Sequence, residues 1–170
     1  MRALRLLRKR LPGAGNKGNI KCGERDWPVR ILALDVGDKR IGVAVSDAMG
    51  WTAQGLQTLE KSSKDKLFSS LCSILEQYNP EKIVIGLPVN MNGTLGPQAE
   101  KVKQFAQELK GIYSGEIVYW DERLTTLSAH RLMIDAGVRR NRRKQKADKI
   151  AAVLILQSYL DYLNNKKKEG

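Results

Sequence analysis

The feature that most constrains the fold is a short β-branched run, Lys82–Leu87 (KIVIGL). A strand that is apolar along its whole length, without alternation, is typical of a strand covered on both faces. The run lies between two amphipathic patterns of helical spacing, one ending at Asn79-Pro80 and one covering Ala99–Leu109. This alternation of helix and strand predicts an α/β sheet with helices packed on it.

The segment before these elements predicts an antiparallel hairpin. Arg30–Val36 (RILALDV) and Arg40–Ser46 (RIGVAVS) are strand-like and flank a Gly37-Asp38-Lys39 turn. The other expected elements are strands near Leu56–Leu59 and at Glu116–Trp120 and helices over about Thr126–Ala136 and Ala147–Leu163. The order βββαβαβαα indicates one mixed α/β sheet with helices packed on it.

The positive charge of the chain is concentrated at its two ends. The formal net charge is +12. Residues 1–30 carry nine Lys and Arg against two acids, residues 31–136 carry eleven against thirteen, and residues 137–170 carry ten against three. A slightly acidic centre between basic ends favours a polyanionic partner. The alternative is that basic ends only keep the chain in solution.

The composition divides the chain into a basic N-terminal extension over residues 1–28, one domain over residues 29–165 and a basic tail over residues 166–170. The extension lacks the apolar core of a secretory signal and has no serine, unlike a transit peptide. We therefore expect it to be either a nucleic-acid arm or an extension without function.

Cysteine usage and hydropathy exclude several classes of protein. Cys22 and Cys72 lie far apart and form neither a disulfide scaffold nor a zinc motif, which favours a reducing, cytoplasmic setting. No apolar run is long enough to span a membrane.

Carboxylates stand where the expected strands end and where the last helix begins. Asp35 ends the first strand, Asp121 and Glu122 end the last, and Asp148 opens the final helix. Strand ends of an α/β sheet meet at one edge, where clustered acids repel one another unless a cation neutralises them. A pair of Mg²⁺ or Mn²⁺ ions at such a cluster would promote attack of water on a phosphodiester.

Each acid also has a structural explanation. Asp35 would shape the hairpin turn, and Asp148 would interact with the helix dipole. Asp121 or Glu122 would be solvated at a strand end, and only one of the two is expected to face the centre, because strand side chains alternate between faces. The combination predicts a metal site more strongly than any single acid does.

Four motifs occur in a fixed order: DVGDKRIGVAVSD (Asp35–Asp47), IGLPVNMNGTLGPQA (Ile85–Ala99), DERLTT (Asp121–Thr126) and KADKIAA (Lys146–Ala152). Together they closely resemble the YqgF family, described both as Holliday-junction resolvases and as nucleases that process the 5′ end of pre-16S ribosomal RNA. The resemblance covers about Val29–Leu163.

This resemblance implies the ribonuclease-H-like fold in its RuvC-related branch. It implies metal carboxylates at Asp35, Glu122 and Asp148, with Asp121 in support. Arg123, the next residue, either pairs with a carboxylate or binds a phosphate. The family commonly has an aspartate where this chain has Asn92, whose amide keeps the turn chemistry but not the charge, so Asn92 is not assigned to the metal.

The basic segment Gly137–Lys146 leads directly into the helix that bears Asp148. We expect it to form a loop that binds phosphate rather than a solvated charge run, through Arg139, Arg140, Arg142, Arg143, Lys144 and Lys146. The aromatic residues either stack on bases or belong to the core: Trp51, Tyr119 and Trp120. His130, alone in a predicted helix, is expected on the surface or in packing.

The expected function is a metal-dependent nuclease acting first on precursor ribosomal RNA and second on branched DNA. One alternative is a non-catalytic nucleic-acid-binding protein of ribosome assembly. Another, an ATP- or sugar-handling enzyme of the actin and sugar-kinase type, needs two lobes, which 170 residues do not supply. Junction resolution favours a homodimer, whereas trimming an RNA end needs only a monomer.

Overall fold

The computed structural model describes residues 30–121 and 143–169 and, within the last helix, the side chains of residues 149–168. Its elements, in chain order, are β1 Ile31–Val36, β2 Arg40–Ser46, β3 Ala53–Glu60, α1 Lys64–Tyr78, β4 Lys82–Leu87, α2 Pro97–Leu109, β5 Glu116–Asp121 and α3 Arg143–Glu169. This order agrees with the predicted one. The helix expected over Thr126–Ala136 lies outside the described residues.

The five strands form one mixed sheet in the order β3-β2-β1-β4-β5. The predicted hairpin is confirmed, because β1 and β2 pair antiparallel and the turn between them closes with a 2.9 Å hydrogen bond from Gly37 N to Arg40 O. β3 pairs antiparallel with β2, whereas β1, β4 and β5 are parallel. The parallel connections run through α1 and α2, as parallel strands require.

The helices cover opposite faces of the sheet. On one face, here called the α1/α2 face, α1 and α2 pack on alternate strand residues, among them Leu34 and Ile85, and Phe105 of α2 belongs to the same core. On the other, the α3 face, Ala33, Ala44 and Val84 pack against Ala152, Ile155, Leu156, Tyr159 and Leu160 of α3. β4 is buried from Ile83 to Gly86, which confirms that it is covered on both faces.

Local signals set the ends of α1 and α2. α1 ends at Asn79, which adopts the left-handed conformation with φ of 40° and is followed by Pro80. α2 begins at Pro97, whose fixed φ and missing N–H suit the first turn.

The last helix differs from its predicted extent. It begins at Arg143, so that Arg143, Lys144 and Lys146 lie in a helix and not in the expected loop, and it continues through Lys166–Lys168. The reason is compositional. The run from Arg142 to Lys149 contains only residues that tolerate or favour a helix and neither glycine nor proline, so the charge does not stop the helix. In the described part of the chain, no helix is both long and apolar enough to cross a membrane.

Candidate active site

Asp35 lies on the α3 face of the sheet, near the end of β1. Its neighbours Leu34 and Val36 belong to the α1/α2 core, whereas Ala33 belongs to the α3 core. Because strand side chains alternate, Asp35 shares its face with Ala33. Its side chain is partly exposed, in contrast to the buried residues on either side.

Glycines stand beside Asp35 on both neighbouring strands. Asp35 pairs with Gly42 of β2. On the other side Leu34 pairs with Ile85, which brings Asp35 level with Gly86 of β4. Both glycines are buried. The carboxylate therefore has no neighbouring Cβ on either adjacent strand within its row of the sheet.

The α3 helix begins at the end of the sheet where Asp35 lies. Lys149 and Val153 lie over Gly55, which is level with Ala33 across the sheet. One helical turn after Val153, the side chain of Gln157 accepts a 2.9 Å hydrogen bond from the backbone N–H of Ala53. Ala53 pairs with Ser46 of β2 and therefore lies nearer the start of β1 than Gly55 does. α3 thus runs antiparallel to β1, and the backbone of Asp148, just before Lys149, lies toward the Asp35 end.

Asp121 is not on this face. It pairs with Leu87, which packs into the α1/α2 core, while its predecessor Trp120 belongs to the α3 core. Partners on neighbouring strands point to the same side of a sheet, so Asp121 faces away from Asp35. Glu122 lies outside the described residues, as do Arg123, His130, Arg139, Arg140 and Arg142.

The turn after β1 is fastened to α2. The side chain of Gln98 donates a 3.1 Å hydrogen bond to Val36 O, and Lys101 Nζ lies 2.7 Å from Asp38 Oδ1. The hydrogen bond and the positive charge of Lys101 lower the pKa of Asp38. These contacts hold the strand end that carries Asp35 against a helix.

The loop between β4 and α2 is a hydrogen-bonded turn. Asn92 Oδ1 accepts hydrogen bonds from Thr94 N at 3.1 Å and Thr94 Oγ1 at 2.6 Å. Gly93 adopts a φ of +82°, which a side chain would strain, and its N–H donates to Asn90 O at 2.8 Å. This bonding agrees with the turn chemistry expected of Asn92.

The aromatic candidates divide between core and surface. Trp120 packs edge-on against Tyr159 with ring centroids 5.2 Å apart, and its indole N–H donates a 3.2 Å hydrogen bond to Ser158 Oγ. It therefore belongs to the core. Trp51 is 57% exposed and Tyr119 is 38% exposed, and Tyr119 lies on the α1/α2 side of β5 because its partner is Ile85.

The described side chains do not by themselves form a metal site. Among them, no three Asp, Glu, His or Cys residues lie close enough to hold an ion. The candidate ligands Glu122 and Asp148 are outside that set, since the side chain of Asp148 is not described. The glycines beside Asp35 are what sequence reasoning missed. Their signal is present, because Gly42 and Ala44 alternate with larger residues along β2.

Comparison with known proteins identifies the family. The model of the RuvX family, described as Holliday junction resolvase, matches residues 29–162. A Clostridium tetani protein named "Putative pre-16S rRNA nuclease" is 54% identical over 138 residues, which covers 81% of this chain and 100% of that protein. A Bacillus cytotoxicus protein of the same name is 52% identical over 135 residues, covering 78% and 98%.

Solved structures agree on the fold. Thermus thermophilus RuvC in complex with a Holliday junction substrate superimposes with a TM-score of 0.52 at 14% identity, covering 79% of this chain and 96% of that one. The yeast mitochondrial Holliday junction resolvase superimposes with a TM-score of 0.53 at 12% identity, covering 83% and 81%. The RuvC-like, ribonuclease-H-type fold expected from the motifs is confirmed. With a family model matching most of its length and relatives more than half identical, the chain belongs to the RuvX family, the YqgF family of the sequence motifs.

Proposed function

We propose that this protein is a metal-dependent nuclease that hydrolyses phosphodiester bonds of precursor 16S ribosomal RNA at its 5′ end. The observation that carries the proposal is the position of Asp35 between Gly42 and Gly86, on the face and at the end of the sheet where α3 begins. That position combines a carboxylate, two neighbouring residues without side chains and the start of a helix bearing a second carboxylate. The names of the curated relatives support the choice of reaction.

We propose Asp35, Glu122 and Asp148 as ligands of a pair of Mg²⁺ or Mn²⁺ ions, because three carboxylates provide enough oxygen atoms for two ions. Such ions, when bound, supply charge that activates water and stabilises the leaving oxygen. The chain's own contribution is to place Asp35 on the α3 face, at the end of the sheet where α3 begins with the backbone of Asp148. No side chain stands beside Asp35 on either adjacent strand, and Asp121, on the opposite face, has no part in the proposed ligand set.

The basic segment before and within the start of α3 is the proposed substrate-binding element. The cations of this segment precede Asp148 by two to nine residues: Arg139, Arg140, Arg142, Arg143, Lys144 and Lys146. Cations so placed would bind phosphates on either side of the cleaved bond. The extension over residues 1–28 is a second proposed contact, in which case the folded domain over residues 29–165 is flanked by basic arms.

Branched DNA is the second candidate substrate. The description of the matching family as Holliday junction resolvases favours it. Resolution of a junction requires two coordinated cuts and therefore a symmetric dimer. Trimming of an RNA end requires one site, which a monomer with this single domain supplies. A cytoplasmic location fits either substrate and stays a prediction.

A side-by-side cleavage assay tests the proposal. The purified chain is given a single-stranded precursor RNA or a four-way DNA junction at one salt concentration, with Mg²⁺, with Mn²⁺ or with a chelator, and Asp35→Asn protein controls for contaminating nucleases. We expect metal-dependent cleavage of the RNA at a higher rate. Paired symmetric nicks in the junction without action on the RNA would establish the second candidate instead. Binding of RNA without cleavage under any condition would favour the non-catalytic alternative.

A further inference from the structure

The contact between α3 and the edge strand β3 is unusually close at one residue. A Cβ placed on Gly55 would lie 2.5 Å from Lys149 Cε, 2.8 Å from Lys149 Cγ and 3.1 Å from Val153 Cγ2. Carbon atoms that are not bonded do not approach this closely, and the attraction between them is greatest near 3.5–4.0 Å. The aliphatic stem of Lys149 therefore occupies the space that any side chain at position 55 would need.

The backbone of β3 is built to present this glycine to α3. Val43 pairs with Gln57 and Ala44 pairs with Gly55, so Leu56 is an extra residue and forms a β-bulge. The bulge changes which residues face which core. Ala53 lies against α3, whereas Leu56 and Leu59 contact the α1/α2 core.

We propose that Gly55 is a positioning residue, a seat for the Lys149 stem that sets how closely the first turns of α3 approach the sheet. Asp148 directly precedes Lys149, so the height of Lys149 above β3 also sets the height of Asp148 relative to Asp35. This inference rests on the proposed function, since it concerns the distance between two of its three carboxylates. Ligand groups must be held within about 0.5 Å of their working positions, and a shift of about 1 Å can lower a rate about 100-fold.

The test compares five proteins: wild type, Gly55→Ala, Lys149→Ala and the double variants Gly55→Ala/Lys149→Ala and Gly55→Ala/Lys149→Met. Methionine keeps a stem without its charge, while alanine removes the stem. If steric conflict with the stem is the cause, alanine at position 149 restores the Gly55→Ala protein and methionine does not.

Three quantities are measured well below the unfolding temperature: Mn²⁺ affinity by calorimetry, kcat and KM on a short RNA, and hydrogen exchange of the amides in α3. For Gly55→Ala we expect at least about tenfold lower kcat, weaker Mn²⁺ binding and faster exchange at the start of α3, with KM changed by less than about twofold. For Lys149→Ala and for the alanine double variant, we expect kcat within about twofold of wild type.

Several results would overturn the inference: a Gly55→Ala protein equal to wild type in all three quantities, rescue by methionine as well as by alanine, or rescue by neither. If Gly55→Ala alone does not fold, a folded double variant with alanine supports the seat and an unfolded one contradicts it. Hydrogen exchange in α3 tests the proposed packing of the Lys149 stem on Gly55 even if the wild type neither binds Mn²⁺ nor cleaves RNA. A wild type that neither binds Mn²⁺ nor cleaves RNA would count against the proposed function and not against the packing of Lys149 on Gly55.

Discussion

The two faces of the sheet carry side chains of different size. On the α1/α2 face the fully buried strand residues are large: Leu32, Leu34, Ile41, Ile83 and Ile85. On the α3 face the residues nearest Asp35 on β1, β2 and β4 are small: Ala33, Gly42, Ala44 and Gly86. Gly55 on β3 is small as well, and the large Trp120 lies further out on β5. Large side chains bury more apolar area, and small ones let a helix approach closely. The strand residues of the first face therefore bury more apolar area each, and those of the second let α3 approach the strand that carries Asp35.

The largest effect that this comparison predicts is at Asp35. We expect Asp35→Asn to lower metal-dependent kcat about 1,000-fold or more, because losing a carboxylate ligand removes several kcal/mol of transition-state stabilisation. Asp121→Asn is the matched control, since Asp121 is on the opposite face, and we expect its kcat within about tenfold of wild type. Cleavage rates at saturating Mg²⁺ and circular dichroism of both variants measure this.

Equal losses of kcat in the Asp35 and Asp121 variants would show that the face of the sheet on which an acid lies does not determine whether it takes part in catalysis. Full activity of Asp35→Asn protein would rule out the proposed mechanism altogether.

The next effect concerns stability at the residue beside Asp35. Leu34 is fully buried in the α1/α2 core, so Leu34→Ala should lower the free energy of unfolding by about 2–5 kcal/mol. Met91→Ala is the control, because Met91 is 92% exposed, and we expect a change within about 0.5 kcal/mol. Urea denaturation gives both values. A Leu34→Ala protein as stable as wild type would mean that the large strand residues of this face contribute little to stability.

The sequence predicts the elements whose ends carry strong local signals. Lys82–Leu87 has the predicted bounds because its run is compact and β-branched. The helix before it stops at Asn79-Pro80 because the first adopts a left-handed conformation and the second cannot continue a helix. The sequence predicts the start of α3 four residues late, because a run of like charges suggests a loop although arginine, lysine and glutamine favour helix.

The candidate site is predictable in type but not in arrangement. Asp35 is identifiable as a strand-end acid, but choosing between Asp121 and Glu122 needs the register of β5 against β4, which places Asp121 opposite Leu87. Register depends on contacts between segments distant in sequence. The role of Gly55 is harder still to predict from the sequence. A bulge in β3 determines which face of the sheet Gly55 lies on, and Lys149 lies about ninety residues further along the chain.

A smaller effect is expected on the salt dependence of binding. Changing Arg139, Arg140, Arg142 and Arg143 to glutamine should reduce the log–log salt slope by about 3 on single strands, since each lost phosphate contact contributes about 0.7. The control changes four lysines that already contact carboxylates, Lys64, Lys82, Lys101 and Lys103, at 2.7–3.3 Å. For these we expect a slope change below about 1. Fluorescence anisotropy with labelled RNA at several salt concentrations distinguishes the two sets, and equal slopes would contradict a dedicated binding segment.

The smallest expected effect is a pH dependence on the α1/α2 side. Tyr113 packs against that core and its hydroxyl donates a 3.0 Å hydrogen bond to Pro80 O. Burial, with added repulsion from Glu81 and Glu116, raises its pKa to about 12. Because the folded-state pKa exceeds the value near 10 of an unfolded tyrosine, the contribution to stability is complete below pH 10 and is lost as pH rises toward 12. The ring is only half-buried, so we expect the loss to be roughly 1 kcal/mol.

The difference between wild type and Tyr113→Phe in urea denaturation at pH 9 and pH 12 isolates this group from all others that titrate. Phenylalanine should cost about 1 kcal/mol at pH 9, where the Pro80 carbonyl loses its donor, and less at pH 12. Parallel pH curves for the two proteins would show that the Tyr113 hydroxyl is as well solvated in the folded chain as in the unfolded one.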